Sequence, residues 1–371
     1  MVDRRRIVRQ WRRGAASVLV TLVRLEGSSY RRPGAHLLIG ADGSEYAGTI
    51  SGGCLEAEVV RKAAWMVRGG AVVERYSTLF DDTAEIPFGL GCGGVVDLLL
   101  EPVETPECQA LLEAMEVSLC GVESQVATWL PMNGRSLQRV VRSADGTVVF
   151  HSEGLSADDL HLIPAHSEFL GSDNSEIYCE RLAPPQRLFV LGAGDDAKPV
   201  VTMAALLGWN VTLVDGRAQI AKRERFPEAE RVVIATSVEE LGLRTSDAAV
   251  IMTHSYEQDR ALLTGLLGAS EIPGYIGLLG ALHRSSLLVS EAAATLGVTV
   301  AECCERVWAP IGLDLGGDGA EAIALAVIAE VQAWVQGKLG GSRRLTPERV
   351  AEQIAKGGAS KYLQTQCALG S

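Results

Sequence analysis

The sequence predicts an α/β protein in two parts, an N-terminal α+β domain with a mixed or antiparallel sheet and a C-terminal doubly wound parallel sheet. Its 371 residues suit two domains. The first half alternates short apolar runs with the hairpin dipeptides Asp42-Gly43, Asn133-Gly134 and Asp145-Gly146. After Pro184-Pro185 the pattern changes to buried-type strands separated by helix-length stretches, and the first of those strands runs into Gly192-Ala193-Gly194. The expected boundaries are 1–183 for the first domain, 187–338 for the second, and 339–371 for a tail with one short helix opening at Thr346-Pro347.

Hydrophobic residues make up 47% and charged residues 22%, the profile of an ordered chain that buries sizeable cores. A formal net charge of -12 disfavours a nucleic-acid partner, while one local concavity can still hold a small anion. The eight cysteines (54, 92, 108, 120, 179, 303, 304 and 367) form no Cys-x-x-Cys pair, so neither a zinc site nor a disulfide framework is expected. Reduced thiols point to the cytoplasm. Six arginines, Arg4, Arg5, Arg6, Arg9, Arg12 and Arg13, precede the apolar run 15–23. That run is short, ends at Arg24 and lacks a small-residue cleavage site, so the start reads as exposed and basic, followed by a buried strand. No stretch is long and apolar enough for a membrane span.

Residues 17–25 read as a strand leading into the loop Gly27-Ser28-Ser29-Tyr30-Arg31-Arg32-Pro33-Gly34. Strands at 36–39 and 46–50 follow, and hairpin logic brings that loop near Ser51-Gly52-Gly53-Cys54-Leu55-Glu56. Leu55, Val59, Ala63 and Met66 then recur at helical spacing, with Ser51 as the expected N-cap and Gly69-Gly70 as the stop. A helix start favours the thiolate of Cys54, and the double glycine lets the backbone curl into a concavity for anions. The competing reading is a buried cysteine beside a flexible turn. A strand at 71–78, an acidic irregular stretch, and Phe88-Gly89-Leu90-Gly91-Cys92-Gly93-Gly94 lead to a buried strand at 95–100. Four glycines around Cys92 permit close backbone approach. A helix at 108–120, hairpin strands over 122–150, a polar irregular stretch at 156–174 and a last strand at 176–182 complete the first domain.

In the second half, a strand at 187–191 is followed by Gly192-Ala193-Gly194-Asp195-Asp196-Ala197, a helix to about 207 capped by Gly208, and a strand at 211–214. Asp215 closes that strand 23 positions after Gly192, matching a Rossmann-like dinucleotide fold. Asp195 and Asp196 stabilise the helix dipole but repel a pyrophosphate there, so a cation, a sugar or a pterin ring is an alternative ligand. Strands at 231–235, 248–253 and 275–279 continue the alternation. Asp215, Arg217, Thr253-His254, Gly280 and Arg284 collect at strand carboxyl ends, and His254 is either a site residue or a core histidine. A core helix is expected at 320–335, and Cys303-Cys304 read as structural.

The order and spacing of these motifs resemble the XdhC/CoxI family, accessory proteins for molybdenum hydroxylases such as xanthine dehydrogenase. The likeness covers most of the chain and rests on the 27–35, 48–56 and 89–94 motifs of the first domain. In the second it rests on Gly192-Ala193-Gly194, Val214-Asp215-Gly216-Arg217, Phe226-Pro227, Thr253-His254 with Asp259, Gly277-Leu278-Leu279-Gly280 and Pro310-Ile311-Gly312-Leu313-Asp314-Leu315-Gly316. The resemblance implies a protein that binds the molybdenum cofactor, protects it while a terminal sulfur is installed, and delivers it to a hydroxylase client.

Thiolates suit a soft metal–sulfur centre, which makes Cys54 and Cys92 the candidates to ligate molybdenum or carry sulfur. Arg31 or Arg32 and the Gly52-Gly53 amides are the candidates for the cofactor phosphate, with Ser51, Glu56, Gly91 and Gly93 completing that site. Gly192, Gly194, Asp196, Asp215, Arg217 and His254 form the second-domain site, where a nucleotide is a further candidate ligand. A cysteine desulfurase as a second partner and a homodimer are also expected. Two other functions compete with the chaperone: an NAD(P)-dependent oxidoreductase using Asp215 for ribose and His254 as acid or base, and a sulfur or nucleotide transferase with Cys54 as nucleophile.

Overall fold

A computed structural model of the chain describes residues 1–14, 16–53, 55–77, 94–161, 167–172 and 175–338. The chain divides into two units after Pro184. The N-terminal unit runs α1 (Val2–Arg12), β1 (Ala16–Glu26), β2 (His36–Gly40), β3 (Tyr46–Gly48), α2 (Glu56–Met66), β4 (Val72–Ser77), β5 (Val95–Pro102) and α3 (Pro106–Leu119). It continues through β6 (Ser124–Trp129), β7 (Gln138–Ser143), β8 (Val148–His151), α4 (Ala157–His161), β9 (Glu168–Ser172) and β10 (Ser175–Leu182). Two five-stranded sheets result, in the orders β3-β2-β1-β5-β4 and β8-β7-β6-β10-β9. Every strand pair between the described residues of this unit is antiparallel.

β1 is apolar at nearly every position because both of its faces are covered. Val18, Val20 and Leu22 pack with Leu55, Val59 and Ala63 of the α2 segment. On the other face, Leu19 packs with α1 and α3, and Val23 with Leu130, Leu137 and Tyr178 of the second sheet's side. Polar ties cross between the sheets, Arg24 with Glu176 and His36 with Glu180 among them, and one of them is fully buried. Arg139 on β7, 1% exposed, forks onto Glu101 on β5 with contacts of 2.9 and 3.1 Å, and also donates to Thr128 Oγ1 at 3.0 Å.

Two stretches differ from the sequence expectation. The arginine-rich start, expected only as an exposed basic stretch, forms a helix, because Ile7, Val8 and Trp11 supply a buried stripe under its exposed arginines. The polar stretch 156–174 contains α4 and β9, and β9 pairs with β10 as an edge strand. Phe169 and Leu170 are too short an apolar run to announce that strand.

The C-terminal unit runs β11 (Arg187–Leu191), α5 (Ala197–Leu206), β12 (Asn210–Val214), β13 (Arg231–Val233), β14 (Ala248–Ile251), α6 (Tyr256–Leu267), β15 (Tyr275–Leu278), α7 (Leu282–Leu296), α8 (Val300–Cys304), β16 (Val307–Trp308) and α9 (Ala320–Val335). Its sheet is wholly parallel in the order β13-β12-β11-β14-β15-β16, a Rossmann-like arrangement. Val200 and Ala204 of α5 and Val327 and Val331 of α9 cover one face. Leu263 and Leu266 of α6 and Leu288 and Ala292 of α7 cover the other. Cys303 is buried in the second of these cores, whereas its neighbour Cys304 is exposed. The tail helix expected after Thr346 lies outside the described residues.

Candidate functional site

Antiparallel register sends three connections to one end of the first sheet. Thr21 pairs with His36, Leu37 with Gly48, and Val95 faces both Glu26 and Ser77. The chain therefore leaves β1, β3 and β4 and enters β2 and β5 at a single edge. The segment that begins after Gly53 and carries Cys54 starts there, and so does the 78–93 segment that carries Cys92. Cys54, Gly91, Cys92 and Gly93 themselves lie outside the described residues.

The flanking residues are in contact. A Cβ added at Gly52 would stand 2.7 Å from a Tyr30 ring carbon, so only glycine lets that ring lie against the turn. A Cβ at Gly94 would stand 2.1 Å from the Ser28 carbonyl oxygen. The loop at 27–34 thus touches both the 49–53 turn and the end of the 78–94 connection.

The 49–53 turn is organised by a carboxylate of the chain itself. Glu56, 2% exposed in the first turn of α2, accepts the amide of Ile50 at 2.9 Å, Ser51 at 2.9 Å, Gly52 at 3.2 Å and Gly53 at 2.9 Å. The hydroxyls of Thr49 and Ser51 also donate to it. Burial pushes this carboxyl up, but the hydroxyl and amide donors outweigh burial and hold it at about 2. The concavity predicted from the double glycine exists, and its anion is Glu56. This corrects the assignment of the Gly52 and Gly53 amides to a cofactor phosphate, since both already donate to Glu56.

Ser51 is likewise not the N-cap of α2. Leu55 holds that position, and its amide donates to Ser51 Oγ at 2.8 Å. Gly53 and Leu55, the sequence neighbours of Cys54, are therefore both tied by their amides into one hydrogen-bonded turn. Arg31 donates to Asp3 of α1 at 2.8 Å, so its charge is committed within the fold. Arg32 is exposed and forms no ion pair among the described residues. Nothing in the sequence alone couples Asp3 to Arg31, which are 28 residues apart.

In the C-terminal unit the second set of candidates meets at the switch point, where β12 and β14 flank β11 on opposite sides. Gly192 passes so close to β14 that a Cβ there would stand 2.5 Å from the Met252 carbonyl oxygen. Asp196 meets His254 Nε2 at 2.8 Å across that switch point. His254 is 65% exposed, which excludes the core-histidine reading, and holds a left-handed backbone at φ 63°. Behind it, Thr253 Oγ1 donates to the buried Asp259 at 2.6 Å, and Arg284 reaches the same carboxylate at 2.7 Å.

Asp215 accepts the Ala193 amide at 2.8 Å on one oxygen, and Arg217 forks onto both at 2.9 and 2.7 Å. Burial pushes this carboxyl up, and the Arg217 and Ala193 donors overcome it and leave it below the usual range. Asp195 is held low by Lys198 and Arg225, at 2.7 and 2.8 Å. A ribose hydroxyl would have to displace Arg217, and a pyrophosphate at the start of α5 would meet Asp196. The oxidoreductase reading thus lacks its ribose acceptor. Among the described residues no group of three or more His, Cys, Asp or Glu side chains is arranged to hold a metal ion.

Comparison with known proteins places these two units together in other chains. Residues 188–331 match the family described as the XdhC Rossmann domain, and residues 10–77 match the one described as the XdhC and CoxI family. A Bacillus subtilis (strain 168) protein, named as a probable xanthine dehydrogenase component, is 28% identical over 335 residues, spanning 85% of this chain and 92% of its own. The molybdenum cofactor insertion chaperone PaoD of Escherichia coli (strain K12) is 24% identical over 319 residues, spanning 86% of this chain and 83% of its own. The fold matches a crystal structure described as a xanthine dehydrogenase from Bacillus halodurans with a TM-score of 0.76 at 24% identity, over 94% of this chain and 99% of that one.

Proposed function

The chain belongs to the XdhC/CoxI family, and from that premise we propose that it binds the molybdenum cofactor as cargo, keeps it while its terminal sulfur is installed, and delivers it to a molybdenum hydroxylase. A relative over most of its length is called a molybdenum cofactor insertion chaperone, which supports this reading. The observation that carries it is the shared sheet edge. The connections bearing Cys54 and Cys92 start or end there, against the Tyr30–Arg32 loop.

The residues at that edge suit the cargo. A pterin carrying a dithiolene and a phosphate calls for soft sulfur donors, a flat apolar face and a cation. Cys54 and Cys92 are the sulfur donors, as metal ligands or as carriers of sulfur received from a cysteine desulfurase. Tyr30, 74% exposed, supplies the ring face. Of the two arginine candidates, Arg32, with no ion-pair partner among the described residues, is the phosphate ligand. The Glu56-tied turn keeps this edge in one shape before the cargo arrives.

Among the described residues no helix is long and apolar enough to cross a membrane. The test is to purify the protein from its native cells, release and oxidise any bound pterin, and read its fluorescence. A pterin recovered in near-stoichiometric amount supports the proposal. Its absence, both from the purified protein and after incubation with isolated cofactor, contradicts it.

A further inference from the structure

The arginines near the start of the chain differ in what they meet. Arg4 donates to the Ser118 hydroxyl at 2.9 Å and the Ala183 carbonyl at 2.8 Å, and Arg12 forks onto Glu116, so both are spent holding the helix in place. Arg6, Arg9 and Arg13 are exposed and make no side-chain hydrogen bond or ion pair among the described residues. Arg6 and Arg9 stand at i, i+3 on one side of α1, and Arg13 follows in the turn just after the helix. They line one wall of a cavity of about 480 Å³ whose opposite wall is the edge strand β3 with the turn before it, including Glu45, Tyr46 and Gly48.

Guanidinium groups gathered on one cavity wall repel one another, and the chain as a whole is acidic at -12. An anion seated among them removes that repulsion. The guanidinium fork matches tetrahedral oxyanions with paired hydrogen bonds, and the volume lies in the range of small-ligand pockets. Tyr46, 52% exposed, adds a ring face beside the charges.

We propose that this cavity is a binding site for a small phosphate-bearing anion, with its phosphoryl oxygens on Arg6, Arg9 and Arg13. The site uses none of the residues assigned to the cofactor edge, so it stands independently of the proposed function.

The test is a calorimetric titration of the full chain with inorganic pyrophosphate. Wild-type protein binds saturably, and affinity falls as NaCl rises from about 50 to about 200 mM. The Arg6→Ala/Arg9→Ala/Arg13→Ala variant loses about tenfold or more, and the triple lysine variant falls between the two. Arg9→Glu alone, at an exposed position where folding is readily checked by thermal melt, loses about fivefold or more. No saturable binding to the wild type, or equal binding by Arg9→Glu, overturns the proposal. The pterin measurement is separate, so either result can fail without the other.

Discussion

The Gly53 amide donates to the Glu56 carboxylate at 2.9 Å, in the place where an anionic ligand of a double-glycine turn would sit. Glu56 thereby converts an anion-binding loop into a fixed support for the cysteine that follows it. Because its folded carboxyl lies at about 2, below the unfolded value near 4.3, its stabilisation is complete above the unfolded value and is lost as pH falls toward 2. Glu56→Gln is expected to cost about 2–3 kcal/mol at pH 7 and to flatten the acid limb of the stability curve. Urea melts at several pH values check this.

Arg139 and Glu101 carry a second expectation, because both are 1% exposed. Arg139→Met alone strands a carboxylate in the core and costs about 3–5 kcal/mol, while the Arg139→Met/Glu101→Leu double variant recovers much of that loss. Chemical denaturation of the three proteins measures the difference.

At Asp215 the prediction concerns a ligand that fails to bind. Titration with NAD or NADP gives no micromolar response, since the ribose-binding carboxylate is occupied by Arg217 and Ala193. Asp215→Ala leaves the Ala193 amide without its acceptor and lowers stability by about 1–3 kcal/mol. Intrinsic fluorescence and thermal melts read the two effects.

A methyl group at Gly94 would fall 2.1 Å from the Ser28 carbonyl. Gly94→Ala therefore displaces the 27–34 loop, and pterin retention should fall along with the melting temperature. Gly134→Ala, where nothing lies within 4 Å although φ is +80°, is the comparison that isolates backbone strain from crowding.

Period and turn chemistry made most of the fold readable. The β1 run, the Leu55–Val59–Ala63 stripe and the Gly192 loop each carry a local pattern that matches the element they form. The Rossmann-like unit was legible as far as Asp215 marking a strand end. That its carboxylate is already spent on Arg217 is a side-chain geometry no spacing reveals. Helix α1 was hidden because its three buried apolar residues are scattered among five arginines. Sequence pattern likewise carries no sign of the Arg139–Glu101 pair, whose members stand 38 residues apart on different sheets. The double glycine marks a turn whose amides converge, but that they converge on Glu56, itself a candidate for the cofactor site, is a side-chain geometry the spacing does not reveal.

The most direct test measures the affinity of isolated molybdenum cofactor for the wild-type chain, Cys54→Ala, Cys92→Ala and the double variant, each confirmed folded by circular dichroism. The proposed cofactor handling by Cys54 and Cys92 predicts about tenfold or greater weakening in at least one single variant and a larger loss in the double. Full wild-type affinity in the double variant would contradict it.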